Sequence, residues 1–241
     1  MDPLAGSPWS APGTVAGFAR SLPNDVLIRF AAGELARVPN GRAIDIGCGA
    51  GRNAVPLAEH GWHVLGTDWS APMIEAAKVR AATAGVAGRM QFELAPMDRL
   101  PAEDQGFDLV IAHGIWNLAQ SAAEFRRGIA EAARVAKPGA GLFVFTFSRH
   151  TLPAAAQPVA GEAFIFTEFS GQPQAFLTED QLLAELAAGG FAPDERVPLT
   201  ELNRPAAGVL QAGRAPVIYE AAFRKSSPQS LEVYSRRFGQ D

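Results

Sequence analysis

Apolar and polar positions along this chain follow two periods that alternate. Residues 43–46 (Ala-Ile-Asp-Ile), 62–67 (Trp-His-Val-Leu-Gly-Thr), 90–94 (Met-Gln-Phe-Glu-Leu), 107–112 (Phe-Asp-Leu-Val-Ile-Ala) and 141–147 (Gly-Leu-Phe-Val-Phe-Thr-Phe) are short runs of strand length. The fourth is nearly all apolar, as in a central strand covered on both faces. Between these runs the spacing becomes helical. Val26, Leu27, Phe30 and Leu35 form one face after a cap at Asn24 or Asp25, and Ser70-Ala71-Pro72 reads as an N-cap with proline in the first turn. Phe125, Ile129, Ala132 and Ala136 predict a helix over 124–137 that Lys137-Pro138-Gly139 ends. Thr178 and Gln181 make a capping box for a helix with a glycine stop at Gly190, and 216–223 reads as the last strand. Strands alternating with helices predict an α/β fold with a mostly parallel sheet.

The first strand carries Asp45 and is followed by Gly47, Gly49 and Gly51 at every second position, with a helix beginning near Arg52. Glycine leaves bare backbone that a bulky ligand can approach. A dinucleotide fingerprint, G-x-G-x-x-G, would place its third glycine where Arg52 stands. The second strand ends at Asp68, twenty-three residues after Asp45, where a nucleoside-binding α/β fold places its ribose acid. Asp98 follows the third strand after Ala-Pro-Met.

This D-x-G-x-G-x-G turn, the acids after the next two strands, the helix with its Lys-Pro-Gly stop and the Gly-Phe junction at 190–191 resemble the class I S-adenosylmethionine-dependent methyltransferases over about residues 39–225. The resemblance implies a doubly wound, seven-stranded, mostly parallel sheet of order 3-2-1-4-5-7-6, with the last strand antiparallel and helices on both faces. It implies S-adenosylmethionine as cofactor, held by Asp45, Gly47, Cys48, Gly49 and Gly51, with Asp68 accepting from the ribose hydroxyls. Asp98 would accept from the adenine amine, with Met97 and Trp69 against the ring. Arg20 would pair with the methionine carboxylate, a role for which Arg52 competes. The GCGAGRN segment also resembles tellurite-resistance and thiopurine-type small-molecule methyltransferases.

The 241 residues, 48% of them hydrophobic, suffice for a single domain. It divides into an N-terminal arm and helix (1–38), a core (39–225) with an insertion at 148–177, and a tail (226–241). No apolar run reaches membrane-spanning length and no basic leader precedes one, so a cytoplasmic enzyme is expected, and a homodimer is compatible with the chain. The single cysteine, Cys48, can form no internal disulfide. With a net charge of −4 and no dense basic stripe, a nucleic-acid substrate is disfavoured and a small molecule expected. Arg126-Arg127 and Arg236-Arg237 read as solvated surface.

Two histidines follow strands that end at the expected site, His113 after the fourth and His150 after the fifth, and either would serve as a base for an acceptor that must lose a proton. Trp116, Asn117 and Trp9 are candidate substrate-pocket residues, and the aromatic-rich insertion 148–177 is a candidate cap. No acidic ligand set follows the fourth strand, so no metal is expected. Two other readings share part of this pattern: a protein that binds S-adenosylmethionine without methyl transfer, and a nicotinamide-dependent oxidoreductase, which Arg52 and Asp98 disfavour.

Overall fold

Strand β1 (Arg42–Ile46) occupies the middle of the sheet because both of its faces are apolar. In the computed structural model, which describes residues 1–204 and 215–226, Ile44 and Ile46 pack into one layer and Ala43 into the other. Four more parallel strands flank it, β2 (His63–Asp68), β3 (Met90–Leu94), β4 (Phe107–His113) and β5 (Ala136–Phe147). The same alternation recurs in β4, where Val110 faces one layer and Leu109 and Ile111 the other. The first layer is closed by α5 (Ala122–Val135) and α6 (Glu179–Ala188), the second by α2 (Asp25–Arg37), α3 (Ala54–Glu59) and α4 (Ala71–Thr83). A short helix, α1 (Pro12–Arg20), precedes them.

Helix starts follow the side chains that can accept orphan N–H groups. Asn24 caps α2, Ser70 caps α4, Ser121 caps α5, and Thr178 with Gln181 forms a reciprocal box on α6.

The sheet order is β3-β2-β1-β4-β5-β10-β8, where β10 (Ile218–Lys225) runs antiparallel to β5 and β8 (Phe191–Pro193) lies outside it. This is the expected 3-2-1-4-5-7-6 order. The outer edge is split, however, and an eighth strand, β9 (Thr200–Leu202), pairs with the other half of β10. Pro193 and Pro198 lack the N–H groups a continuous ladder would use. Two further short strands, β6 (Ile165–Phe166) and β7 (Gln174–Ala175), pair separately in the insertion.

Helix α5 stops at Val135, and Lys137-Pro138-Gly139 lies within β5 rather than ending the helix. Proline disfavours helical backbone at the residue before it, so the signal acts earlier than its own position. The β4–β5 register shifts across this stretch. Among the described residues no helix is long and apolar enough to cross a membrane. Residues 227–241, which include Arg236-Arg237 and all but the first residue of the tail, lie outside the described residues.

Candidate active site

At its three glycines the turn after β1 is crowded for a side chain. Gly47, Gly49 and Gly51 have φ values of +70°, +53° and +75°, a region that L side chains rarely adopt. A Cβ on Gly47 would stand 2.7 Å from Ile115, and one on Gly49 would stand 3.2 Å from Phe18. Gly47 and Gly49 form one wall of a cavity of about 340 Å3 at the carboxyl ends of the parallel strands. That is where the doubly wound topology places ligands.

Asp68, the last residue of β2, lies on the same wall. Its carboxylate accepts the Gly49 N–H at 2.9 Å and the Ser70 N–H at 2.8 Å, so the acid and the glycine turn are fixed to each other. Each carboxylate oxygen keeps a further acceptor position. Burial raises the Asp68 pKa against these bonds. Trp69, half exposed, and Met97, buried, flank the same cavity.

Asp45, Cys48 and Gly51 lie behind the turn rather than on the cavity wall. Cys48 is buried and its thiol pKa is pushed well up, first by burial and then by the charges of Asp45 and Asp68, so it is no nucleophile. Asp45 is pushed up to about 7 by burial and the neighbouring Asp68, with Arg52 and the Ala54 N–H opposing. Its folded pKa is thus above the ordinary 3.8, so the folded chain holds a proton that the unfolded chain releases. Stability should therefore fall as pH rises from about 4 to 7. Asp45→Asn, which keeps an acceptor for Ala54, should unfold at higher urea than the parent at pH 8, by about 2 to 4 kcal/mol, and match it near pH 4. Urea titrations of both chains at the two pH values measure this difference.

His113, at the end of β4, reaches the cavity with its ring stacked on Phe145 at 4.1 Å between centroids. The Arg52 Nη2 stands 2.9 Å from its Nδ1 and 3.4 Å from its Nε2. Burial, then this guanidinium, lowers the His113 pKa to about 3, so the ring is neutral at physiological pH and a weak base. His150 does not line the cavity. Its Nδ1 lies 2.6 Å from Glu201 of β9, and the Ser148 hydroxyl donates to the same carboxylate.

Several other expected residues are turned elsewhere. Arg20 ends α1 exposed and off the wall, whereas Arg52 is on it. Asp98 is paired with Arg127 of α5 at 3.0 Å and does not line the cavity. A 3-10 turn at Trp116–Leu118 buries Trp116 against Phe125, with ring centroids 6.0 Å apart, and buries Asn117 as well. Gly114, Ile115 and Leu118 of that segment face the cavity instead. No residue of 148–177 lines it. Their aromatic side chains pack inward, Phe164 on Phe125 and Phe176 on Phe147.

The cover comes from the N-terminal arm, which supplies Leu4, Trp9 and Phe18, with Trp9 edge-on to Phe18. The arm is fastened at several points. Asp2 accepts the Ala71 N–H at 3.1 Å, the Ser10 and Ser70 hydroxyls bond at 2.8 Å, and Arg80 donates to the carbonyls of Ala19 and Ser21. Phe145, Gln120 and Glu124 also line the cavity without having been singled out by motif. For Phe145 a signal existed, because it pairs in register with His113 at the same strand ends.

These residues fit S-adenosylmethionine. The side-chain-free shelf at Gly47 and Gly49, the ribose-competent acid beside it, the apolar flank of Trp69 and Met97 and the guanidinium of Arg52 share one cavity. The family model described as a methyltransferase domain matches residues 43–139, the stretch that holds the glycine turn, Asp68 and His113. A ubiquinone/menaquinone biosynthesis C-methyltransferase UbiE from Geotalea daltonii is 30% identical over 190 residues, 71% of this chain and 79% of that protein. A demethylmenaquinone methyltransferase from Clavibacter sepedonicus is 31% identical over 80% of this chain and 84% of that protein. In fold, the chain is similar to a Burkholderia thailandensis 1,6-didemethyltoxoflavin-N1-methyltransferase solved with S-adenosylhomocysteine. The TM-score is 0.61 at 19% identity, with 83% of this chain and 78% of that one covered. With the glycine shelf and the Asp68 bond network in place and relatives at this identity matched over more than two thirds of both chains, the chain belongs to the class I S-adenosylmethionine-dependent methyltransferases.

Proposed function

We propose that this enzyme methylates a small, flat, ring-containing acceptor, at a ring hydroxyl or an activated ring carbon, without a metal ion. The observation that carries this reading is the apolar lining that shares the cavity with Asp68 and the glycine turn, where Trp9, Phe18, Ile115, Leu118 and Phe145 offer apolar and aromatic surface. The names of the two relatives, which concern quinone biosynthesis, support the same acceptor chemistry. Among the described residues there is no group of three or more His, Cys, Asp or Glu side chains that could hold a metal ion.

S-Adenosylmethionine supplies an electrophilic methyl on a cationic sulfur, and a displacement with so good a leaving group depends mainly on orientation. The chain's part is to position both partners and exclude water. Gly47 and Gly49 admit the cofactor to the backbone, Asp68 takes the ribose hydroxyls, and Arg52 takes the methionine carboxylate through its two-point donor geometry. His113, held neutral, serves as an orienting group beside Arg52. The arm residues Leu4, Trp9 and Phe18 close over them.

The test offers S-adenosylmethionine labelled in its methyl group with three acceptor panels: reduced quinones and catechols, aliphatic amines, and thiols. Label in the hydroxylated ring compounds alone supports the proposal. Label confined to amines or thiols overturns it.

A further inference from the structure

Asn24 uses every polar atom it has. Its side-chain oxygen accepts the Leu27 N–H at 2.9 Å, and its backbone N–H donates to Asn53 Oδ1 at 3.0 Å. Its side-chain nitrogen stands 2.6 Å from Glu220 Oε2 and 3.2 Å from His113 Nε2. Because the oxygen is committed to the cap of α2, the amide can face Glu220 and His113 only with its two N–H groups.

The three residues around this amide are ordered by the sheet. His113 of β4 is the register partner of Phe145 on β5, and Phe145 is the register partner of Glu220 on β10. They form one row across three strands, with the His113 ring stacked on Phe145. Asn24 spans the row from Glu220 to His113, and Arg52 meets His113 at the cavity. Glu220 is 6% exposed, and a buried carboxylate in the last strand is costly unless a donor meets it. Capping does not require this amide, since Ser70 and Ser121 cap two of the other long helices with a hydroxyl alone.

We propose that Asn24 and Glu220 are positioning residues that hold the His113 ring so that Arg52 stays aimed into the cavity for the carboxylate of the cofactor. This rests on the assignment of Arg52 to that carboxylate. A long guanidinium side chain has many rotamers, and fixing it before binding removes an entropic cost from the bound state.

Asn24→Ser separates the two roles, because serine caps a helix as asparagine does but has no amide to donate. Binding is measured by calorimetry with S-adenosylhomocysteine, which has the carboxylate, and with 5′-methylthioadenosine, which lacks it. Arg52→Gln should weaken the first ligand and spare the second. Asn24→Ser should weaken S-adenosylhomocysteine about tenfold and leave 5′-methylthioadenosine unchanged, with a lower thermal unfolding midpoint because Glu220 loses its donor. Glu220→Gln, which touches no cap, should show the same selectivity at roughly threefold. If Arg52→Gln spares S-adenosylhomocysteine, the assignment of Arg52 fails and the proposal with it. If Arg52→Gln is selective while Asn24→Ser and Glu220→Gln change neither ligand, or both ligands equally, the positioning role alone is overturned.

Discussion

Gly47→Ala is expected to remove measurable cofactor binding and to lower stability by about 3 kcal/mol. Two costs add. The residue sits at φ +70°, where a side chain is disfavoured by roughly 1 to 2 kcal/mol. The new methyl would also stand 2.7 Å from Ile115 Cδ1 and Cγ1 and 2.8 Å from Ile115 Cβ, about 1 Å inside the preferred carbon separation. Relief requires the turn or the 114–118 segment to move, and both are cavity walls. Gly171→Ala is the matched control, since its φ of +78° is similar but a Cβ there would meet nothing within 4 Å. It should lose only the backbone part and bind as the parent does. Adding Ile115→Ala to Gly47→Ala should restore stability in part, because the Ile115 Cβ remains. Urea unfolding and calorimetry with S-adenosylhomocysteine measure the two effects. Affinity within threefold of the parent would show that the turn does not underlie the cofactor.

What was legible from the chain is what local physics decides. The parallel strands are set by their own apolar faces, α6 by its capping box, and the shelf at Gly47 and Gly49 by residues that must stay bare. Asp68 could be placed because it ends the strand next to the turn, and its bonds run to Gly49 and Ser70, close in the same motif. The residues that went elsewhere are those whose direction is settled by a distant partner. Asp98 meets Arg127, twenty-nine positions on, and His150 meets Glu201, fifty-one positions on. No spacing rule announces either pair. Trp116 is a pocket candidate by sequence, yet the 3-10 turn buries the bulky ring in the core and leaves the smaller Ile115 and Leu118 at the cavity. The phenylalanines of 148–177 follow the same logic, since burying them against Phe125 and Phe147 removes more apolar surface from water than a position at the cavity mouth would. The arm, with no periodicity of its own, takes up the covering role through Asp2, Ser10 and the Arg80 contacts.

The second large effect is expected at Asp68. Asp68→Ala should weaken S-adenosylhomocysteine by about 3 kcal/mol, roughly 150-fold, because a charged acceptor of the ribose hydroxyls is lost. The N–H groups of Gly49 and Ser70 lose their acceptor in the same step, which loosens the glycine turn proposed to underlie the cofactor. Asp68→Asn should bind almost as poorly as Asp68→Ala despite its shape. One of the two oxygens becomes an NH2 group, and it must then face either the Gly49 or the Ser70 N–H, donor against donor. Asp68→Glu keeps the charge but pushes the carboxylate one methylene past both donors, so it should recover only part of the loss. The pH dependence has a definite sign. Burial raises the Asp68 pKa, so as pH falls the accepting carboxylate is lost through a value above the ordinary 3.8. Affinity of the parent should therefore decline on acidification sooner than an exposed aspartate would dictate, and the decline should be smaller in Asp68→Ala. Calorimetric titrations at neutral and mildly acidic pH compare the two chains directly. An Asp68→Ala chain that binds as the parent does at both pH values would place the ribose somewhere other than the end of β2.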